Sequence, residues 1–344
     1  MLETWLVMVL PVLLGTLGMA CNQMGRRFMM KDGVFSPLQF STHLFLVASL
    51  YFGAVYLAVW GFIWPQTLPG FWRALMGGTL ANIGIQYLAI KAVSYPKGEV
   101  SLTSPLMAMT PGLLTILALF LGEFPGKAGC FGIFLMICGS YIIIWSKPPE
   151  KWYEYFAPLQ RLLLLAKIGR LSPDEREKTI VVSLSLGSAF LGTFGLLFDG
   201  LLTRRATDMQ GLTFALMVLC FLLAVSFAGF YMIYPDAKNE AQKYFGLRAY
   251  KQKKYLIGLA ILGLVWLWHI YAINPVYSHA YVAYVGTLKR FSVLLAVIGG
   301  YLVFKEGDIK KRLLAAVLII LGVIFISMDG LPERVSAQVQ LLGL

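Results

Sequence analysis

The chain has 344 residues, of which 58% are hydrophobic and only 13% charged, with a mean hydropathy of +0.74 and a formal charge of +12. A water-soluble domain carries about 25% charged and 45–50% apolar residues, so the composition excludes one. It equally excludes a disordered chain, a secreted disulfide scaffold and a nucleic-acid binder with a dense basic surface, and it leaves an all-α integral membrane protein.

A helix needs about 20 mainly apolar residues to cross the hydrocarbon core. Taken in chain order, the apolar runs predict ten transmembrane helices, at roughly 4–24, 37–64, 71–93, 98–121, 127–146, 180–203, 210–234, 255–274, 277–304 and 309–328. Charge and turn residues separate them: Arg26, Arg27 and Lys31 after the first, Pro65 and Gly70 after the second, Pro96 to Gly98 after the third. The first run has no basic segment before it and is as long as a span, so it reads as a retained helix. Residues 147–179 form a linker holding Trp152, Tyr153, Tyr155, Phe156 and Arg161. They fit either an aromatic, basic helix lying in the interface or a packed soluble linker. The chain then divides into a five-helix repeat at 1–146, that linker, a second repeat at 180–329 with a long loop at 235–254, and a short tail at 330–344. Cys21, Cys130, Cys138 and Cys220 stand in apolar stretches with no Cys-x-x-Cys pattern, and read as buried small hydrophobes.

The two halves align. Gly15-Thr16-Leu17-Gly18 matches Gly192-Thr193-Phe194-Gly195, which sets Asn22 against Asp199 and Arg27 against Arg204. A second block aligns ungapped at an offset of 183, pairing Ala89 with Ala272, Glu123 with Glu306, Gly139 with Gly322 and Gln86 with His269. Five spans per repeat is an odd number, so the second copy crosses in the opposite sense. Inverted repeats belong to secondary transporters, whose substrate sites lie near the midplane between the repeats.

On these residues, and on Leu121-Gly122-Glu123 and Phe304-Lys305-Glu306 at the ends of helices four and nine, the chain resembles the EamA-type members of the drug/metabolite transporter superfamily. The resemblance covers nearly the whole chain and is densest at 86–145 and 269–328. It implies ten helices in a 5+5 inverted repeat and transport by alternating access. The long linkers depart from the compact members.

Ionisable groups inside a bilayer are costly and are functional candidates by default. Lys289 and Arg290 fall mid-way along helix nine, too deep for both to reach an interface. A guanidinium beside an ammonium suits a phosphate or carboxylate. The pair resembles that of the sugar-phosphate translocators of the same superfamily, where it holds the substrate anion. The bland alternative is an ion pair with Asp199 or Glu99. Asp199 itself fits a proton site, a counter-ion or a cap. Asn22 and Gln23 fit substrate contacts or interhelical hydrogen bonds. Asn82 and Gln86 share a helix face, with Tyr87 beside it, and His269 takes the place of Gln86 in the second half. His43 reads as structural and His279 as interfacial.

Lysine and arginine crowd the loops 1–2, 3–4, 5–6, 7–8 and 9–10, which puts those loops in the cytoplasm and both termini outside. The superfamily habit is the reverse. The expected setting is a bacterial inner (plasma) membrane, with anionic lipid at the basic linkers, no nucleic acid, no cofactor and no metal. A monomer suffices, since both halves are in one chain. No His-Glu-x-x-His, Gly-x-Ser-x-Gly or phosphate-binding loop points to an enzyme. The leading reading is a secondary transporter of a small anionic metabolite bearing phosphate or carboxylate. The alternatives are a flippase for a phosphate-bearing lipid and a proton-coupled exporter of amphipathic compounds.

Overall fold

A computed structural model describes residues 10–31, 34–110, 112–113, 126–144, 171–234, 252–278, 285–286 and 289–328. Among them the secondary structure is helical throughout, in ten α-helices. These are α1 (Leu10–Lys31), α2 (Pro37–Trp60), α3 (Phe71–Ser94), α4 (Val100–Met107), α5 (Lys127–Ile144), α6 (Pro173–Arg205), α7 (Met209–Ile233), α8 (Lys253–Ile273), α9 (Phe291–Phe304) and α10 (Ile309–Met328). A 3-10 turn, Asn274–Ser278, continues α8. Among the described residues four helices are long and apolar enough to cross a membrane: α2, α6, α7, and α8 extended to Tyr277. Large apolar side chains cover the outside, with Leu50, Leu80, Met232 and Leu302 all more than half exposed. An all-helical chain with such helices and such a surface fits a membrane protein.

Local chemistry sets several boundaries. Ser36 caps α2 in a reciprocal capping box with Gln39, and Pro37 opens the helix where its missing N–H costs nothing. Ser172 caps α6, with Asp174 and Glu175 in its positively polarised first turn and Arg204 and Arg205 in its last. That cap starts α6 seven residues before the apolar run, inside the stretch expected to be linker.

The helices pack most heavily in the pairs α5–α10, α2–α7, α3–α6 and α1–α8, and next in α2–α8, α1–α9 and α4–α9. Exchanging each helix of α1–α5 with the one five places later gives pairs that also touch: α1–α8 becomes α6–α3, α2–α8 becomes α7–α3, α1–α9 becomes α6–α4, and α2–α7, α5–α10 and α4–α9 return to themselves. One contact gives the exchange atomic detail. A Cβ on Gly139 would stand 2.7 Å from the Ala315 carbonyl and 2.8 Å from Ile319, and one on Gly322 would stand 2.5 Å from the Gly132 carbonyl and 2.6 Å from Met136. Residues 132 and 136 meet 315 and 319 at the same offset of 183 that joins the two glycines. Both glycines are there to let α5 and α10 touch backbone to backbone. Gly77 and Gly299 instead leave room for side chains, those of Phe198 and Met24.

Four expectations need correction. α1 does not stop at residue 24 but runs through Arg26 and Arg27 to Lys31, because both guanidiniums turn inward and find partners. Helix four is interrupted: it is helical over Val100–Met107, turns at Ala108 and Met109 and is helical again at 110 and 112–113, while residues 111 and 114–121 of its expected run lie outside the described residues. Helix nine is not continuous, since Arg290 is a turn residue and α9 proper begins at Phe291. Of the four cysteines only Cys220 is buried, while Cys21 and Cys130 face outward. The helices place them there by phase, and an apolar surround makes an outward thiol inexpensive. His279, the 147–170 part of the linker, Pro235 to Lys251 and the tail also lie outside the described residues.

Candidate functional site

A cavity of about 250 Å³ lies between the two helix sets. α1 lines it with Met19, Asn22, Gln23 and Arg26, an i, i+3, i+4, i+7 stripe on one face. α3 adds Asn82, Ile85, Gln86 and Ala89, and α6 adds Gly192, Gly195, Leu196 and Asp199. α8 adds Trp266, His269, Ile270 and Ile273, while Lys289 and Arg290 enter from the helix break before α9.

Arg26 anchors one part of this site. It is buried, donates from Nη1 to Gln86 Oε1 at 2.8 Å, and its guanidinium sits 5.2 Å from the centroid of the Trp266 ring. Gln86 in turn donates to Asn82 Oδ1 at 3.4 Å, and Asn82 to the Gly78 carbonyl at 2.9 Å. Trp266 meets His269 edge-on, centroids 5.0 Å apart. The Nδ1 of His269 lies 3.0 Å from the Val265 carbonyl; a carbonyl only accepts, so that nitrogen carries the proton. Ser104 of α4 donates to Gln23 Oε1 at 2.5 Å, tying α4 to α1 across the wall.

Lys289 and Arg290 form the other part. Lys289 donates to the Tyr277 hydroxyl at 3.1 Å and lies 5.5 Å from that ring's centroid. Asp199 is within Coulombic range of Lys289, but among the described residues no ion pair joins it to either cation. Glu99 is not available to them either. It pairs with Arg312 of α10, which also reaches Ser101 and Glu306.

Among the described residues, four buried side-chain nitrogens lack a hydrogen-bond partner: Asn22 Nδ2, Arg26 Nε, Arg290 Nε and Trp266 Nε1, the last with the Cys220 thiol as its neighbour. All four residues line this cavity, and all four atoms are donors. Buried donors are normally paired, and a cluster of unpaired ones calls for acceptors from outside the protein.

Of the residues expected at a site, Lys289, Arg290, Gln86, His269, Asn22, Asn82 and Asp199 all line the cavity. Tyr87 does not. Its hydroxyl accepts from Lys91 at 2.9 Å one turn on, and its ring packs against the α2–α7 core. His43 is packed against Phe35 and bonded to the Gln39 carbonyl, as a structural histidine would be. Sequence reasoning missed Arg26, taking it for loop punctuation. Its place four residues after Asn22 on one helical face was the available signal. Arg27 was missed too, and its work is structural: it donates to the carbonyls of Val93, Tyr95 and Pro96 at 2.7, 2.5 and 2.8 Å, closing the C-terminal end of α3. Its counterpart Arg204 reaches the Tyr277 carbonyl, at 3.5 Å, beyond the end of α8.

No protein-family model matches the chain, and no curated protein matches it. A protein known from a crystal structure, with no function in its description, is similar over 97% of this chain and 98% of its own, at 12% identity and a TM-score of 0.58. At that identity the likeness is one of fold.

Proposed function

We propose that the protein is a secondary transporter of the drug/metabolite type, moving a small phosphate- or carboxylate-bearing metabolite through the membrane by alternating access. On this reading the ten helices are ten spans, and α1–α5 and α6–α10 are inverted repeats. The exchange symmetry of the helix pairs and of the Gly139 and Gly322 contacts supports that arrangement. The break before α9 supports it as well, since transporters of this kind place their sites at interrupted helices, with the positive end of a half-helix toward an anion.

One observation carries the choice of an anion. The cavity holds Arg26, Lys289 and Arg290 against a single carboxylate, Asp199, and its unpaired polar atoms are all donors. An acceptor-rich ligand would satisfy them, whereas a cationic amphipath would add charge to a site already in excess.

Proteoliposome flux tests this. Lys289→Gln and Arg290→Gln should each slow uptake of an anionic metabolite by about thirtyfold or more, the effect of removing one partner of a buried charged contact. Transport of every substrate at the wild-type rate by both variants would overturn the reading.

A further inference from the structure

The loop from α2 to α3 is held from the inside and apolar on the outside. Gly61, at φ +65°, turns the chain out of α2, and its N–H bonds to the Leu57 carbonyl at 3.0 Å. The Ile63 carbonyl then accepts from the Tyr56 hydroxyl and from Gln210 Nε2, the latter at 3.0 Å, and the Gln66 carbonyl accepts from Thr207 Oγ1 at 2.9 Å. Leu68 donates its N–H to the Arg205 carbonyl at 3.0 Å, and Pro65 is buried. With its backbone fixed in this way, the loop turns Phe62, Ile63 and Trp64 away from the protein, at 95%, 66% and 69% exposure. No Asp, Glu, Lys or Arg stands between Asp32 and Arg73. Three consecutive large apolar side chains on a charge-free loop are not a surface made for water.

The spacing of the exposed apolar ends identifies what covers them. The Trp64 ring lies 5.0 Å from that of Phe214 and the Trp72 ring 6.3 Å from it, which sets the loop level with the first turns of α7. At the other end of α7, Met232, Ile233 and Tyr234 are again exposed. From Phe214 to Tyr234 the axial rise is about 30 Å, the thickness of the hydrocarbon core of a bilayer. Between them α7 carries no charge, and Phe221, Val225 and Phe230 face outward. Trp64 and Trp72 at the loop end are followed by the exposed Arg73, the order that aromatic belts and basic residues take across a membrane surface. A protein partner would require neither that spacing nor that order.

We infer that the 61–70 loop is a rigid interfacial anchor, with Phe62, Ile63 and Trp64 sunk into the boundary between lipid headgroups and acyl chains. The inference rests on the membrane reading and not on what is transported. It also gives the cavity a depth. Leu216 and Leu219, which line it, stand about 3 and 7.5 Å of rise past Phe214, so the α7 part of the wall lies in the half of the bilayer next to the loop.

Spin labelling of the full chain in phosphatidylcholine vesicles provides the test, with depth read from collisions with oxygen and with a water-soluble nickel chelate. Cys21, Cys130 and Cys138 are replaced by alanine, and the buried Cys220 is left in place. Labels at Phe62→Cys and Trp64→Cys should lie about 5–10 Å into the boundary region. A label at Val225→Cys should lie about 15 Å deeper, near the midplane. Asp174→Cys, at a side chain 81% exposed, gives the aqueous reference. Phe62 has almost no packing to lose, so its variant decides the matter should Trp64→Cys fail to fold. Nickel collisions at Phe62 equal to those at Asp174 would overturn the anchor. Shielding of Phe62 from both reagents would overturn it too, as the mark of a protein partner or a second copy on the loop. In either case a Val225 label that stays in lipid would leave the membrane reading standing, and one that collides as Asp174 does would overturn both.

Discussion

Replacing Glu306 with alanine should cost about 3–5 kcal/mol of stability. Glu306 sits in the turn between α9 and α10, buried, and reaches across to the start of α4. One carboxylate oxygen accepts the Val100 N–H at 2.9 Å; the other accepts the Ser101 N–H at 2.9 Å and also the Ser101 hydroxyl. Arg312 lies 3.5 Å away as a counter-charge. The α4 N-terminus has no side-chain cap of its own, because Glu99, the residue in that place, is turned to Arg312. Alanine would leave two buried donors unpaired at about 1–3 kcal/mol each, and would break a buried ionic contact at about 3–5 kcal/mol. These costs overlap, so the larger is taken and the sum is not. At roughly 2 °C per kcal/mol for a chain of this size, thermal unfolding followed by tryptophan fluorescence in detergent should fall by about 6–10 °C. Glu306→Gln keeps one acceptor and sets its amide N–H against a donor, so about half that loss is expected. A midpoint for Glu306→Ala within about 2 °C of wild type would refute the reasoning.

The same scan should separate buried from exposed charge. Lys97→Ala removes the 3.4 Å pair with Asp174, whose side chains are 47% and 81% exposed, and should change stability by less than about 0.5 kcal/mol. Gly229→Ala, in α7 with open space where the Cβ would go, should stabilise by about 0.5–1 kcal/mol. Gly139→Leu should do the opposite, since backbone stands 2.7 Å from its Cβ; a loss of about 1–3 kcal/mol or more, read as a lower midpoint and a lower yield of monodisperse protein, is expected.

Apolar run length made the helices legible, and ten runs correspond to ten helices among the described residues. Run length could not show where a helix breaks. Val100–Met107 and the stretch before Phe291 read as ordinary spans because an interrupted helix keeps its apolar composition. The break is set by what the freed backbone meets, and that is tertiary information. Composition also misassigned Arg26 and Arg27. Beside Lys31 they look like ordinary loop charges, and only the carbonyls, the Gln86 amide and the Trp266 ring that receive them show otherwise. Part of the +12 charge credited to loop orientation is therefore interior charge. Lys289 and Arg290 were legible for the opposite reason, having no loop nearby to explain them.

The internal alignment does more than organise the chain. Some matched positions that carry the same residue hold helices together: Gly139 and Gly322 at the α5–α10 contact, Arg27 and Arg204 at the ends of α3 and α8. Several matched positions that differ meet at the cavity: Asn22 against Asp199, Gln86 against His269, and, at the offset of 183, Met107 against Arg290. A frame of two equivalent halves would offer two equivalent half-sites, and a ligand without two-fold symmetry could not satisfy both. Substituting charge or ring for amide or thioether in one half alone removes that equivalence while leaving the packing that relates the halves intact. The single carboxylate and the Lys289–Arg290 pair both come from the second half, and Arg26, matched to Thr203, comes from the first. The two halves thus contribute different chemistry to the one cavity.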